Sequence, residues 1–344
     1  MALGVYPETT LKEAREKLSE ARKLLLNDID PSEAKKAKKL QLIKEADNAF
    51  EIIATEWYAK MKGQWSEDYA NRKWHLLEKN FFPTFGKTPI NNITSKELLN
   101  LLDGMQTRGA IENAYKVKGI CSEIFRYGIR TDRCDQDPSQ SLKGALIPKR
   151  KKHMAAITDP KEVGGLLRAI DAYNGDFVTL CALKLTPYVM LRPGELRRAE
   201  WSEIDFEKKQ WRIPAEKMKM RRIHIIPLAE QAISILKQIQ PLTGNGKYVF
   251  PSVRTKDRPM SENTVTAALR RMGFTKQEMT AHGFRGMAST LLYENGFKSE
   301  IIEMQLAHAE RNQVKAAYNH AEYLKERTEM MTWWANYLDG LKKA

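Results

Sequence analysis

The sequence predicts a mainly α protein with a small antiparallel β-sheet, and three observations point there. Apolar residues recur at helical spacing along most of the 344 residues. Only two short runs, Trp211-Arg212-Ile213 and Arg222-Ile223-His224-Ile225-Ile226, have β-type composition, and the polar stretch from Pro214 to Arg221 between them reads as a long hairpin loop. No glycine-rich phosphate loop and no GxGxxG pattern occurs, which argues against nucleotide-driven chemistry, and one isolated hairpin cannot support a βαβ fold. At about 150 residues per domain the length suits two to three domains, each with its own core and no need of a metal or disulfide staple.

The first helix is expected over 8–27, where Thr10 and Glu13 form a capping-box pattern and Leu11, Ala14, Leu18, Ala21 and Leu25 share a face. Asp30-Pro31 breaks it. The Lys- and Ala-rich stretch Ser32 to Lys44 reads as a solvated helical linker, with DNA contact as the sharper alternative. From 48 to 136 the pattern is all-helical. Helices are expected near 48–61 and 66–80, Phe81 to Gly86 reads as a turn, Thr94 and Glu97 box a third helix, and a fourth runs over 111–130. That fourth helix carries Lys116, Lys118, Arg126 and Arg130 among Tyr115, Phe125 and Tyr127. It is either a solvated basic face over an aromatic core or a helix that contacts DNA phosphates.

Lys149, Arg150, Lys151 and Lys152 follow Pro148 as an exposed basic linker able to lie along a phosphate backbone. Asp159, Pro160 and Glu162 then mark a new helix start. These breaks divide the chain into 1–47, a helical domain over 48–140, a basic linker over 141–154 and a last domain over 155–344.

Charge narrows the partner. The chain carries 57 basic and 43 acidic residues, net +14. The surplus rises from +1 over 1–50 to +4 over 51–150 and +9 over 151–344, so it rides on folded domains rather than a tail. A polyanion is the natural partner, most simply DNA. The N-terminus lacks a secretory pattern, no run of about 18 apolar residues occurs, and Cys121, Cys134 and Cys181 have no paired spacing. Together these point to a reducing cytoplasm. The six histidines show no HExxH or Cys/His ligand spacing, so neither metal nor cofactor is expected.

Five segments of the last domain hold conspicuous polar residues: Arg192-Pro193-Gly194-Glu195, Lys217 to Met220, His282-Gly283-Phe284-Arg285, Ala307-His308 and Ala317-Tyr318. Singly each is ordinary. An Arg in a turn is usually an ion-pair partner, and a buried His or Tyr is usually core. In their order and spacing, with Trp201 and Asp205 after Arg192, Lys219 eight residues before Pro227 and Tyr318 ten after His308, they resemble the tyrosine recombinase family, the phage integrases. The tail Trp333-Trp334-Ala335-Asn336-Tyr337-Leu338 after Arg327, and Leu3 to Pro7 with Leu11 to Arg15, are similar to satellite-phage-type prophage and genomic-island integrases.

The resemblance implies a helical core-binding domain, an α+β catalytic domain, and residues 1–47 as the remnant of an arm-type DNA-binding domain whose preceding strands are missing from a shortened N-terminus. It also implies attack by Tyr318 on a DNA phosphodiester, giving a 3′-phosphotyrosine link and a free 5′-hydroxyl without ATP. Arg192 and Arg285 would clamp the non-bridging oxygens, His282 would take the tyrosine proton, Lys219 would protonate the leaving oxygen, His308 would hydrogen-bond the phosphate and Glu195 would orient an arginine. Lys217 competes with Lys219, and Tyr323 with Tyr318. A homotetramer on double-stranded attachment sites is implied, an excisionase and a host DNA-bending protein are compatible partners, and the segment after Tyr318 should dock onto a neighbour, with core packing of Trp333 and Trp334 within one chain as the alternative. A type IB topoisomerase-like enzyme and a catalytically inactive DNA-binding regulator are the rival readings.

Overall fold

The computed structural model describes residues 5, 7–27, 29–149, 154–218, 221–308 and 323–344, with the backbone alone for 38–45. The chain divides into two compact units, Met1–Lys151 and Lys152–Ala344.

The first unit is helical. Helix α1, Leu11–Leu26, starts at Thr10 with both capping-box hydrogen bonds present, and none of its residues is buried. Helix α2 spans Pro31–Asp47. The packed part begins at α3, Phe50–Met61, and continues through α4, Glu67–Asn80, α5, Phe82–Phe85, α6, Ser95–Thr107, and α7, Ile111–Arg130. Phe81 to Gly86 is thus a one-turn helix rather than the expected turn. Four residues that include a proline carry too little pattern to show a helix. Thr94 and Glu97 form the expected box.

Helix α7 buries Ala114, Val117, Cys121, Ile124, Phe125 and Gly128, a face at helical spacing, and Phe125 meets Phe50 at 5.5 Å. Lys73, 8% exposed, is the one buried cation of α4. It pairs with Glu123 of α7 at 2.7 Å and lies 4.3 Å from the Trp65 ring centre, which compensates its desolvation.

The second unit is built on α9, Phe177–Val189, which is apolar on nearly every side and buried accordingly. Around it pack α8, Pro160–Asp171, capped by Asp159 as expected, then α11, Glu230–Thr243, α12, Thr264–Arg271, and the last helix, α15, Leu324–Lys343. Between them lie α10, Pro193–Arg197, α13, Gly283–Glu294, and α14, Ser299–Gln305.

Strands β2, Gln210–Ile213, and β3, His224–Pro227, form the expected hairpin, with Trp211 opposite Ile226. Two features escaped the sequence: β1, Ile204–Asp205, which completes a three-stranded sheet, and a second hairpin of β4, Pro251–Ser252, and β5, Thr255–Pro259.

The tail follows the within-chain alternative for its two tryptophans. Helix α15 docks within its own chain: Met330, Met331, Trp334, Ala335 and Leu338 join the core, and Trp334 donates to the Pro187 carbonyl of α9 at 2.9 Å. Trp333 stacks on Tyr337 at 4.9 Å. Among the described residues no helix is long and apolar enough to cross a membrane.

Candidate active site

Arg192 reaches the site because α9 stops three residues earlier, at Val189. Met190 takes a left-handed conformation, φ 55°, and Pro193 opens α10 immediately after Arg192. Glu195, three residues on, reaches back to accept from the Arg192 backbone N–H at 2.9 Å and from its Nη1 at 2.7 Å. Arg192 Nη2 donates to the Ala307 carbonyl at 2.9 Å.

Arg285 comes from the first turn of α13. His282 is the N-cap residue directly before that helix. Gly283 between them is needed for closeness: a Cβ there would stand 2.2 Å from the Ala155 carbonyl oxygen. Arg285 is 4% exposed and donates to the carbonyls of Met190 and Leu306, and its Nη2 lies 3.2 Å from His308 Nε2. Burial, then the charge of Arg192, lowers its pKa to about 10, which leaves it charged at neutral pH.

His308 follows α14 directly. The helix ends in a Schellman turn: His308 N–H bonds to the Glu303 carbonyl and Ala307 N–H to that of Met304. Ala307 occupies the left-handed position, φ 48°, where glycine is usual, at a cost of roughly 1–2 kcal/mol. The His308 ring lies between Glu303, 2.6 Å from Nδ1, and Arg285 at Nε2. An arginine only donates, so Nε2 accepts and the ring proton belongs on Nδ1, facing Glu303.

Three consecutive carbonyls of this turn therefore meet three basic side chains: Gln305 with His224, Leu306 with Arg285 and Ala307 with Arg192. The helix C-terminus favours cations there.

The His282 carbonyl accepts from the Arg285 N–H at 3.1 Å, but its ring makes no hydrogen bond to a described residue. Partial burial, then Arg285 and Arg192, lower its pKa, which favours the neutral ring that can accept a proton. His224, on β3, is pushed down to about 3 by burial and then by Arg327.

Lys217 is committed elsewhere. It pairs with Glu200 at 2.6 Å and with Glu203, and donates to the Arg198 carbonyl at 3.3 Å. Burial opposes its charge, but the two carboxylates outweigh burial and raise its pKa. Lys219 and Tyr318 lie outside the described residues. Tyr323 is described, at φ 46° directly before α15.

In the first unit Lys116, Arg126 and Arg130 are exposed on α7 and Lys118 is half-buried. Arg126 donates to Ser122 at 3.0 Å. Lys149 pairs with Glu112 at 3.2 Å over the Tyr115 ring, while Arg150, Lys151 and Lys152 lie outside the described residues. Sequence reasoning missed His224, Glu303 and Gln305. The one available signal was a histidine inside the otherwise apolar run of β3.

The second unit thus gathers arginines and histidines in one cluster, an arrangement suited to holding a DNA phosphate. The phage integrase family model matches residues 157–325, the phage integrase central domain 50–145 and the arm DNA-binding domain 1–38. The integrase of Enterobacteria phage P4 is 39% identical over 98% of this chain and 80% of its own length. Prophage integrase IntA of Escherichia coli (strain K12) is 36% identical over 97% and 81%. The crystal structure of a lambda integrase tetramer bound to a Holliday junction aligns with a TM-score of 0.63 at 18% identity, covering 87% of this chain and 88% of that one, which shows the shared fold.

The chain belongs to the phage integrase family. It is a tyrosine-type site-specific recombinase of the prophage integrase kind, acting on DNA.

Proposed function

We propose that Tyr318 is the nucleophile. Its hydroxyl oxygen forms a bond to the scissile phosphorus as the bond to the 5′-oxygen breaks, and the 3′-phosphotyrosine link conserves the energy for rejoining. His282 accepts the tyrosine proton, and Lys219 gives a proton to the departing 5′-oxygen. Arg192 and Arg285 hold the non-bridging oxygens as charge builds on them. His308 contacts the same phosphate, and Glu195 orients Arg192. The single observation that supports this assignment is the convergence of Arg192, Arg285 and His308 on one turn at the end of α14. The commitment of Lys217 to Glu200 and Glu203 favours Lys219 as the acid.

The same reading divides the chain into an arm-type segment over 1–47, a core-binding domain over 48–140, a linker over 141–154 and a catalytic domain over 155–344. Lys116, Lys118, Arg126, Arg130 and the cations 149–152 contact DNA phosphates. Four protomers assemble on paired double-stranded attachment sites in the bacterial cytoplasm, with an excisionase and a host DNA-bending protein as accessory partners.

The test is a duplex carrying the junction between the encoding element and its host chromosome, nicked beside the cleavage point so that the product escapes. The parent should form a covalent adduct. Tyr318→Phe should bind DNA normally and form none, whereas Tyr323→Phe should still form it. The reverse pattern would move the nucleophile to Tyr323.

A further inference from the structure

Arg327 has no part in the chemistry above, yet its side chain is held as closely as those of the proposed clamp. It lies in the first turn of α15 and is 2% exposed. Its Nε and Nη2 both donate to Gln305 Oε1, at 3.0 and 2.8 Å, and Nη2 also bonds to the Ile225 carbonyl of β3. Gln305 is itself 1% exposed, and its backbone carbonyl meets His224 Nε2 at 3.1 Å. Its amide turns the oxygen to Arg327 and leaves Nε2 buried without a hydrogen-bond partner. Residue 305 is thus gripped by side chain and main chain, from α15 and from β3. The next two carbonyls hold Arg285 and Arg192, and the residue after those is His308.

We infer that Arg327 is a positioning residue for strand cleavage: through Gln305 it fixes the turn that aligns Arg192, Arg285 and His308. The inference rests on the active-site assignment above. Stability alone does not account for a buried guanidinium here. Helix α15 is already anchored by Met330, Met331, Trp334 and Leu338, so its docking does not depend on a buried guanidinium. The turn is the part that needs holding, because Ala307 is kept left-handed within it and such backbone persists only where its surroundings fix it. Released at residue 305, the turn relaxes and the clamp loses its alignment on the phosphate.

The experiment uses the full chain on the nicked junction duplex, measuring cleavage rate at saturating protein and, separately, DNA affinity. An adduct from the parent and none from Tyr318→Phe establish the underlying reading. An adduct from Tyr318→Phe would sink that reading whatever Arg327 does. Arg327→Met and Gln305→Met should each cleave about tenfold to a hundredfold more slowly, the scale of a small misplacement, with affinity within about twofold of the parent. The double variant should be no slower than the slower single, since both remove one contact. Arg327→Lys should recover part of the rate, and Arg327→Met, although its melting point falls as the Gln305 and Ile225 oxygens lose their donor, should remain folded at the assay temperature. Parental cleavage by Arg327→Met, or losses that multiply in the double variant, would overturn the inference. If Arg327→Met does not fold, Gln305→Met, which alters no charge, decides alone: slow cleavage at parental affinity supports the inference and parental cleavage refutes it.

Discussion

Acidification should destabilise the second unit through His224. Its ring is 6% exposed at the start of β3, with Nε2 on the Gln305 carbonyl. Burial and then the charge of Arg327 lower its pKa to about 3, Arg285 and Arg192 add to this, and the Gln305 hydrogen bond opposes it. The unfolded chain binds this proton near pH 6.5, so below that pH unfolding takes up a proton that the folded state refuses. The contribution is complete above about pH 7.5 and is lost progressively as pH falls from about 6.5 toward 3. At pH 5 the gap of about 1.5 pH units, at about 1.4 kcal/mol each, amounts to roughly 2 kcal/mol. Urea unfolding at pH 7.5 and 5.0 measures it, with His224→Gln as reference, because glutamine keeps an N–H donor for the Gln305 carbonyl and does not titrate. His282, also lowered, is common to both proteins and cancels. The parent should lose about 2 kcal/mol more than the variant over that interval. Equal losses would show that His224 is not held neutral by burial, and the description of this core would be wrong.

Arg192→Lys and Arg285→Lys should each retain DNA binding and lose cleavage by about a hundred- to a thousandfold on the nicked duplex, since an ammonium keeps the charge but not the two-pronged geometry. Lys219→Ala should cleave ordinary DNA slowly and be rescued when the bridging 5′-oxygen is replaced by sulfur, because a thiolate with pKa near 8.5 leaves without a proton. Rescue of Lys217→Ala instead would shift the acid by two residues, and rescue of neither would move the proton source to His282 or water. Ala307→Gly should stabilise the fold by roughly 0.5–1 kcal/mol in urea unfolding, the relief of a left-handed alanine less the greater entropy of glycine in the unfolded chain.

The helices were legible where their ends carry chemistry. Thr10 with Glu13, Thr94 with Glu97 and Asp159 before Pro160 each mark a start that the folded chain uses. Elements too short to show a period were not: β1, the β4–β5 hairpin and α5 span two to five residues each. Order and spacing singled out Arg192, Glu195, His282, Arg285 and His308, because their side chains identify them. What holds them did not show. Arg285 is fixed by the carbonyls of Met190 and Leu306, and a main-chain oxygen leaves no mark in the residue type that bears it. Trp333 and Trp334 were visible as a motif, but whether they serve a neighbour or their own chain depends on tertiary packing, which buries Trp334 beneath Pro187 of α9.

The choice of carbonyls has an electrostatic consequence. Arg192 and Arg285 stand close enough for each other's charge to matter, and that repulsion is part of what lowers Arg285 to about 10. A carboxylate on each guanidinium would relieve the repulsion but cancel the positive field that a phosphate needs. Here one carboxylate, Glu195, serves Arg192, while Arg285 is oriented by two backbone carbonyls and the His308 ring. Carbonyl dipoles fix direction without carrying formal charge, so Arg285 is oriented without a carboxylate on it, while Arg192 alone shares its charge with one. In the proposed reaction their mutual repulsion would fall when the phosphate lies between them, and fall further as it gains charge in the transition state. On that proposal the turn at Ala307 would supply orientation from the backbone and leave the charge of Arg285 for the substrate.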